Sequence, residues 1–177
     1  DVAACGGRAA WAAAKADRWE AVRSLVEAGA DLATGGLGVQ LWALAAARGQ
    51  LDAAALLEAR GAEARSAAGA LALASLASTQ EWPECRDALG HLLASGADVG
   101  SEAGGAALLT AAQFGDLEMV RLITESGADL ASKAAGESVA SAGLLGPPGS
   151  AEAVVRYLTE RGAVAPPPPV LTMDEDF

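Results

Sequence analysis

The stretch LLTAAQFGDLEMVRLITESGADL, residues 108–130, predicts two helices joined by a tight turn. The turn falls at Gly115-Asp116, and the second helix ends at Gly127, where a left-handed backbone conformation is needed. Spacing of 3.6 residues gives the second helix one apolar and one charged face. The apolar face is formed by Leu117, Val120, Ile123 and Thr124, and the charged face by Glu118, Arg121 and Glu125. The stretch therefore predicts a helical hairpin with one apolar face that is buried away from water.

The glycine corner that ends this hairpin recurs along the chain. The five copies are Gly29-Ala30-Asp31, Gly61-Ala62-Glu63, Gly96-Ala97-Asp98, Gly127-Ala128-Asp129 and Gly162-Ala163-Val164. Their glycines are 32, 35, 31 and 35 residues apart. A helix-turn-helix unit with a period of about 33 residues is typical of ankyrin arrays. The order Ala-Ala-x-x-Gly, then a Val-x-x-Leu helix and Gly-Ala-Asp, also resembles the ankyrin consensus.

The resemblance to ankyrin repeats implies an all-α solenoid of about five helical hairpins with an extended C-terminal tail. The predicted repeats cover residues 8–32, 37–64, 69–99, 104–130 and 136–164 of one domain, residues 1–165, and the Pro-rich acidic tail covers residues 166–177. Outside the opening stretch, helices are expected over residues 9–16, 19–28, 41–48, 51–60, 71–78, 84–95 and 138–145, and from residue 150 or 151. Each hairpin of such an array packs only against its neighbours.

Composition and charge argue against several classes of function. The chain is 52% hydrophobic but only 4% aromatic, and its net charge is −11 at pH 7. An acidic surface repels the phosphates of nucleic acid. Glycine, arginine or an acid interrupts every apolar run before it reaches the roughly 20 residues of a membrane-spanning helix. We therefore expect neither nucleic-acid binding nor a direct membrane span.

No pattern for catalysis, cofactor binding or metal binding is recognisable in the sequence. Cys5 and Cys85 lack metal-ligand spacing, and His91, the single histidine, has no catalytic partner at a defined spacing. The glycine-rich residues 34–39, TGGLGV, lack the preceding strand and the following Lys-Ser/Thr of a phosphate loop. We therefore predict a non-enzymatic protein without cofactors or metals, whose cysteines are reduced thiols.

The chain departs from the ankyrin pattern at the start of each hairpin. Members of that family often carry Thr-Pro-Leu-His there, and the threonine and histidine hydrogen-bond neighbouring loops. Residues 40–43 read Gln-Leu-Trp-Ala at the matching positions, and residues 106–109 read Ala-Ala-Leu-Leu. This departure predicts that the stack is less rigid on its own.

Three tryptophans are candidate partner contacts, because tryptophan is enriched among interface hot spots. Trp11 lies in the first predicted helix, and Trp19 lies at the turn that follows it. The alternative for both is packing within the first two hairpins. Trp82 precedes Pro83 in an insertion between the helices of the third repeat. Its alternative role is a hydrophobic staple onto the helix that Pro83 begins.

The remaining candidate contacts lie in a loop and in the tail. Pro147 and Pro148 form a longer connection inside the fifth repeat, expected to project on the same side as the Trp82 insertion. The proline run of residues 166–169 ends the domain in extended geometry. The tail that follows combines acids with four apolar candidates: Val170, Leu171, Met173 and Phe177.

These features predict a protein-protein interaction scaffold whose partners are other protein subunits. The resemblance implies contact through the inter-repeat turns and first helices. We expect an intracellular accessory subunit of a larger complex, for example a respiratory or photosynthetic one, attached to a membrane complex without spanning the bilayer. The start at Asp1 fits removal of a plastid or mitochondrial presequence. The alternative is a regulatory module that transiently binds a basic surface on an enzyme or channel.

Overall fold

A computed structural model describes residues 2–33, 36–78 and 83–166 of the chain. These residues form ten α-helices and no strand, which confirms the all-α prediction for the described part of the chain. The helices are α1 Val2–Lys15, α2 Trp19–Glu27, α3 Leu37–Ala47, α4 Leu51–Ala59, α5 Ala67–Ser78, α6 Pro83–Ala94, α7 Glu102–Gln113, α8 Leu117–Glu125, α9 Lys133–Leu145 and α10 Ser150–Glu160. None of them combines the length and the hydropathy that crossing a bilayer requires.

The helices pair in chain order into five hairpins. Each odd-numbered helix packs against the even-numbered helix that follows it, and the odd-numbered helices also contact one another in sequence from α1 to α9. Among the second helices, α2 contacts α4, and α8 contacts both α6 and α10. At the junction of the second and third hairpins, α6 packs against α3. The first helices therefore form one continuous row.

The core lies between the first and second helices of the hairpins. Its largest fully buried side chains include Leu41, Leu44, Leu57, Leu73, Leu76, Leu89, Leu92, Leu108, Ile123 and Leu158, with buried alanines between them. On α8, Val120, Ile123 and Thr124 are buried as predicted, whereas Leu117 is half-buried. Met119 is also buried, although the predicted apolar face did not include it. Small and large apolar residues together allow the helices to approach closely.

The glycine corners have the left-handed geometry that the sequence predicts. Gly127 has a φ of 103°, and the corresponding glycines of the other four corners have φ between 86° and 99°. Each glycine N–H donates a hydrogen bond to the carbonyl three residues earlier in the helix. In corners such as Gly96-Ala97, the alanine N–H also donates to the carbonyl five residues earlier. These bonds satisfy carbonyls that the helix end leaves without an intrahelical donor.

The first helices begin earlier than predicted. Helix α3 begins at Leu37 instead of residue 41, α5 at Ala67 instead of residue 71, and α9 at Lys133 instead of residue 138. Serine caps account for two of these starts. The Ser132 hydroxyl accepts a hydrogen bond from Ala135 N at 3.2 Å, and Ser66 accepts one from Gly69 N at 3.3 Å. A capped first turn tolerates glycine, which taken alone reads as loop.

Arginine side chains connect neighbouring hairpins. Arg48 Nη1 donates a hydrogen bond to Ala14 O at 2.8 Å, near the end of α1. Arg60 Nη1 donates to Val26 O, near the end of α2. Cations at helix C-termini satisfy exposed carbonyls and oppose the negative end of the helix dipole. These contacts join hairpins that lack the Thr-Pro-Leu-His motif.

Asp17 occupies a turn position at which other hairpins carry glycine. Its φ is 57°, and the matching Gly49 and Gly115 have φ of 68° and 70°. Asp17 is the one non-glycine residue with positive φ in the described ranges. Its Oδ1 accepts a hydrogen bond from Trp19 Nε1 at 2.6 Å, which ties the turn to the core. This bond offsets part of the cost of the left-handed conformation.

Asp17→Ala is expected to lower the free energy of unfolding by about 1–2 kcal/mol, because the indole loses its acceptor while the strained backbone stays. Asp17→Asn keeps an acceptor and tolerates positive φ, so its cost is expected to be about 0.5 kcal/mol or less. Urea unfolding followed by far-UV circular dichroism measures both values. Asp52→Ala is the control, since its carboxylate makes only an exposed ion pair, 3.9 Å from Arg23. Equal losses of unfolding free energy for Asp17→Ala and Asp52→Ala would contradict a stabilising role for the hydrogen bond between Asp17 and Trp19.

Candidate interaction groove

A groove with a largely apolar lining runs between α5 and α7. It encloses about 620 Å³ and is lined by these two helices and by the turns that precede them. No residue of a second helix lines it. The groove therefore faces away from the second helices, on the side that the resemblance assigns to partner contact.

The floor of the groove is apolar and made mainly of alanine. Leu71 of α5 is 46% exposed, although it is a large hydrophobic residue. Ala74, Ala103 and Ala106 lie beside it and are half-buried or exposed. Small side chains on both helices leave room for an incoming apolar group to reach Leu71. Such a concave apolar site is typical of a binding surface.

The rim of the groove is polar and carries more acidic than basic groups. Asp98 and Glu102 are exposed on the α7 side, and Arg65 lies on the α5 side. Arg65 Nε points to Ser95 O at 3.4 Å, so its guanidinium bridges the turn to the end of the third hairpin. The net charge of the rim is therefore negative, which favours a cationic group on an incoming partner.

A hydrogen-bonded turn holds the acidic rim in place. Asp98 Oδ1 accepts from Gly100 N at 2.9 Å, and the Ser101 hydroxyl donates to Asp98 O at 2.7 Å. Ser101 Oγ in turn accepts from Gly104 N at 3.2 Å and caps α7. The same Asp-x-x-Ser arrangement recurs at Asp129 and Ser132 before α9. These side-chain hydrogen bonds stabilise the turn that positions the acidic rim.

A second cavity, of about 470 Å³, continues the groove toward the first hairpin. It is lined by the turns after α2 and α4 and by the start of α3, and includes Asp31, Arg60 and Ala68. Ser66 lines both cavities, so the two are adjacent along one edge. Together they form a path that crosses the first three inter-hairpin turns.

The tryptophans near the first turn contribute to packing. Trp19 is only 6% exposed and belongs to the core. Trp19 was a candidate partner contact, but the structure places it in the core. Its ring packs inside, and its Nε1–H donates a hydrogen bond to Asp17. Trp11 is half-buried and packs against the core, so it offers only part of its ring to a partner.

The other candidate residues lie away from the groove or outside the described ranges. Pro147 and Pro148 are exposed between α9 and α10. Pro147 packs beside the Gly115 turn, where a Cβ added to that glycine would lie 3.1 Å from Pro147 Cδ. Trp82, Val170, Leu171, Met173 and Phe177 lie outside the described residues, so the predicted common side of the two loops is not tested.

The described residues carry no arrangement that points to metal chemistry. No group of three or more histidine, cysteine, aspartate or glutamate side chains is close enough to hold a metal ion in this part of the chain. His91 is exposed on α6, beside Asp87 and Glu118, in a cavity of about 610 Å³ on the second-helix side. Cys5 is exposed and Cys85 is buried.

Comparison with known protein families, curated proteins and solved structures finds no match for this chain.

Sequence reasoning missed Leu71, Arg65 and the Asp98 turn as site residues. A usable signal was present, since an acid and a serine three residues later recur at Glu63-Ser66, Asp98-Ser101 and Asp129-Ser132. That spacing marks a turn that leads into a capped helix. Leu71 gave no comparable signal, because it lies in an apolar run in which every residue reads as core.

Proposed function

We propose that this protein is a non-enzymatic scaffold of ankyrin-type repeats that binds another protein along the groove between α5 and α7. The ankyrin assignment is supported by five consecutive hairpins, by glycine corners with a common geometry, and by the continuous row of first helices. The observation that carries the binding function is Leu71, a half-exposed leucine on an alanine floor beneath an acidic rim.

The groove selects a partner with an apolar side chain next to a basic one. Burial of an apolar group against Leu71 supplies affinity, since each buried CH₂ contributes about 0.8 kcal/mol. Asp98 and Glu102 then pair with the lysine or arginine that flanks it. The net charge of −11 attracts such a basic surface at longer range and raises the association rate.

Two modes of binding fit this chemistry. A permanent accessory subunit, of an organellar complex for example, is supported by exposed Leu144 and Leu145, since large apolar side chains of this kind are buried in obligate interfaces. A transient regulatory module is supported by the acidic charge of the chain. Ionic strength separates the two modes, because electrostatic capture weakens as salt rises whereas apolar burial does not.

Leu71→Glu is expected to weaken partner capture at least about tenfold, because it places a charge on the apolar floor. Wild-type and variant chains are used as bait in extracts of the native source, and the bound proteins are quantified by mass spectrometry. Leu51→Glu is the matched control, since Leu51 is 74% exposed at the start of α4 and lies outside the groove. Circular dichroism checks that both variants stay folded.

The proposed groove is rejected if Leu71→Glu and Leu51→Glu recover the same proteins in the same amounts as the wild type. Repeating the capture at low and high salt assigns the mode. Recovery that falls steeply with salt identifies the transient module, and unchanged recovery identifies the permanent subunit.

A further inference from the structure

Two arginines border the path that the groove and the second cavity form together. Arg65 lines the groove, and Arg60 lines the second cavity. Both side chains are exposed. Ser66, which follows Arg65 in the chain, lines both cavities. The two arginines therefore belong to one continuous edge of the repeat array.

Each of these arginines contacts a backbone carbonyl of a neighbouring hairpin. Arg60 Nη1 donates a hydrogen bond to Val26 O, and Arg65 Nε points to Ser95 O at 3.4 Å. A guanidinium has five N–H donors, and within the described residues one donor of each arginine is used in this way. Most of the donors of both side chains therefore remain available to an acceptor in the path.

Other arginines that reach a neighbouring hairpin pair with a carboxylate there. These pairs have N–O distances between 3.0 and 3.9 Å and are Arg23 with Asp52, Arg48 with Asp17, Arg86 with Asp116 and Arg161 with Glu125. In the described ranges, neither Arg60 nor Arg65 forms an ion pair. Their charges are therefore not neutralised by any described carboxylate, although the chain has 23 acidic and 12 basic side chains.

The acidic side chains nearest to these arginines make other contacts. Asp31 lines the second cavity with Arg60, and its Oδ1 accepts a backbone N–H of its own turn at 2.9 Å. Asp98 lines the groove with Arg65, and its Oδ1 likewise accepts a backbone N–H of its own turn at 2.9 Å. Glu63 lies between the two arginines in the chain but lines neither cavity. The arginines are therefore open to a carboxylate of another molecule.

The charged groups along the path follow the order of the hairpins. Arg60 ends the second hairpin, Arg65 precedes α5, and Asp98 and Glu102 lie at the start of α7. Because the first helices contact one another in chain order, Leu71 of α5 lies between the arginines and these acids. The path is therefore cationic at one end, apolar in the middle and anionic at the other end.

Helix spacing sets the length of a segment that could follow this path. Packed helices have axes about 8–10 Å apart, and an extended chain advances about 3.3 Å per residue. The arginines and the acidic rim, which are one to two hairpins apart, are thus separated by about three to six extended residues. Helices α5 and α7 pack directly against each other, so the groove is too narrow for a helix, which is about 10–12 Å across.

We propose that Arg60 and Arg65 form a carboxylate-binding subsite, and that the groove takes an extended segment with an acidic, an apolar and a basic residue in that spatial order. The carboxylate pairs with the two guanidinium groups, which bind such planar anions well. The apolar residue contacts Leu71, and the basic residue pairs with the acidic rim. This subsite rests on the proposed binding of a protein segment in the groove and adds the acidic residue to what that segment must carry.

The test uses a phage-displayed library of random peptides of about 12 residues, long enough to span the path in extended form. Peptides are selected on the wild-type chain, and those that also bind the Leu71→Glu variant are discarded. The retained peptides are expected to carry an acid about three to six residues from a lysine or arginine, with a large apolar residue between them. Replacing that acid by alanine in a synthetic peptide is expected to raise the Kd for the wild-type chain at least about threefold, measured by fluorescence polarisation.

Arginine variants of the protein connect this difference in Kd to the subsite. Arg60→Ala and Arg65→Ala are each expected to remove most of the difference between the acidic peptide and its alanine form. Arg23→Ala is the matched control, because it removes the same charge from a residue that lines neither cavity, and it is expected to preserve the difference. Arg65→Ala decides the test if Arg60→Ala, which loses its contact with Val26, does not fold.

The outcomes separate the subsite from the groove. Retained peptides that lack the acid overturn the carboxylate subsite and leave the groove in place. The same conclusion follows if replacing the acid changes the Kd equally in the wild-type chain and in the folded arginine variants. If no selected peptide requires Leu71, the proposed function and the subsite are both overturned.

Discussion

Leu73→Ala is expected to lower the free energy of unfolding by about 2–5 kcal/mol. Leu73 is fully buried in α5, a helix that contacts α3, α6 and α7. Removing its side chain forfeits the apolar transfer free energy and leaves a cavity that alanine-rich neighbours are too short to fill. Small domains have total stabilities of about 5–15 kcal/mol, so this loss is a large share of the whole.

Leu71→Ala is the matched control for Leu73→Ala, since it makes the same chemical change two residues away on α5. Leu71 is half-exposed, so its truncation is expected to change stability by about 0.5 kcal/mol or less. Urea unfolding followed by far-UV circular dichroism measures both variants. Similar losses for the two would mean that α5 does not present Leu73 to the core and Leu71 to the groove.

Gly104→Ala is expected to destabilise the protein by about 1–3 kcal/mol, although alanine is the better helix former. A Cβ added to Gly104 would lie 2.2 Å from Val99 O and 2.5 Å from Val99 C. These are backbone atoms of the turn before α7, so they cannot move without disturbing the Asp98 rim. The free-energy cost of this clash is expected to exceed the free energy gained from the higher helix propensity of alanine.

Gly90→Ala is the control for Gly104→Ala, and its effect on the stability of the protein is expected to have the opposite sign. Gly90 lies inside α6, and a Cβ there would meet no atom within 4 Å. Alanine in a helix interior is favoured over glycine by about 0.5–1 kcal/mol, so this variant is expected to be stabilised. Differential scanning calorimetry of the two variants tests the contrast. Destabilisation by both would show that helix α6 does not have open space at Gly90.

Much of the helical architecture follows from local patterns in the sequence. The glycine corners and the 3.6-residue apolar spacing predicted the second helices α2, α4 and α10 to within about two residues, because a left-handed glycine and a buried face act within a single helix. The starts of α3, α5 and α9 were less predictable. The first turn of each contains glycine, and a serine cap precedes α5 and α9 but not α3.

The candidate site was less predictable than the fold. Tryptophans were the natural candidates, since tryptophan is enriched among interface hot spots. Trp19 is nevertheless buried, because the left-handed turn at Asp17 directs its ring inward and accepts its N–H. Leu71 and Leu73 read alike in the sequence, yet one lies on the groove floor and the other in the core.

The sequence by itself determined that the chain forms helical hairpins and where each one ends, because those features depend on residues within one or two turns of one another. The tertiary structure alone decided which apolar residues remain exposed and which are buried. Those outcomes depend on the distance between helices about 30 residues apart in the chain, as in the contact of Thr124 with Tyr157. In alanine-rich helices nearly every position is apolar, so composition does not distinguish a face that packs inward from one that is available to a partner.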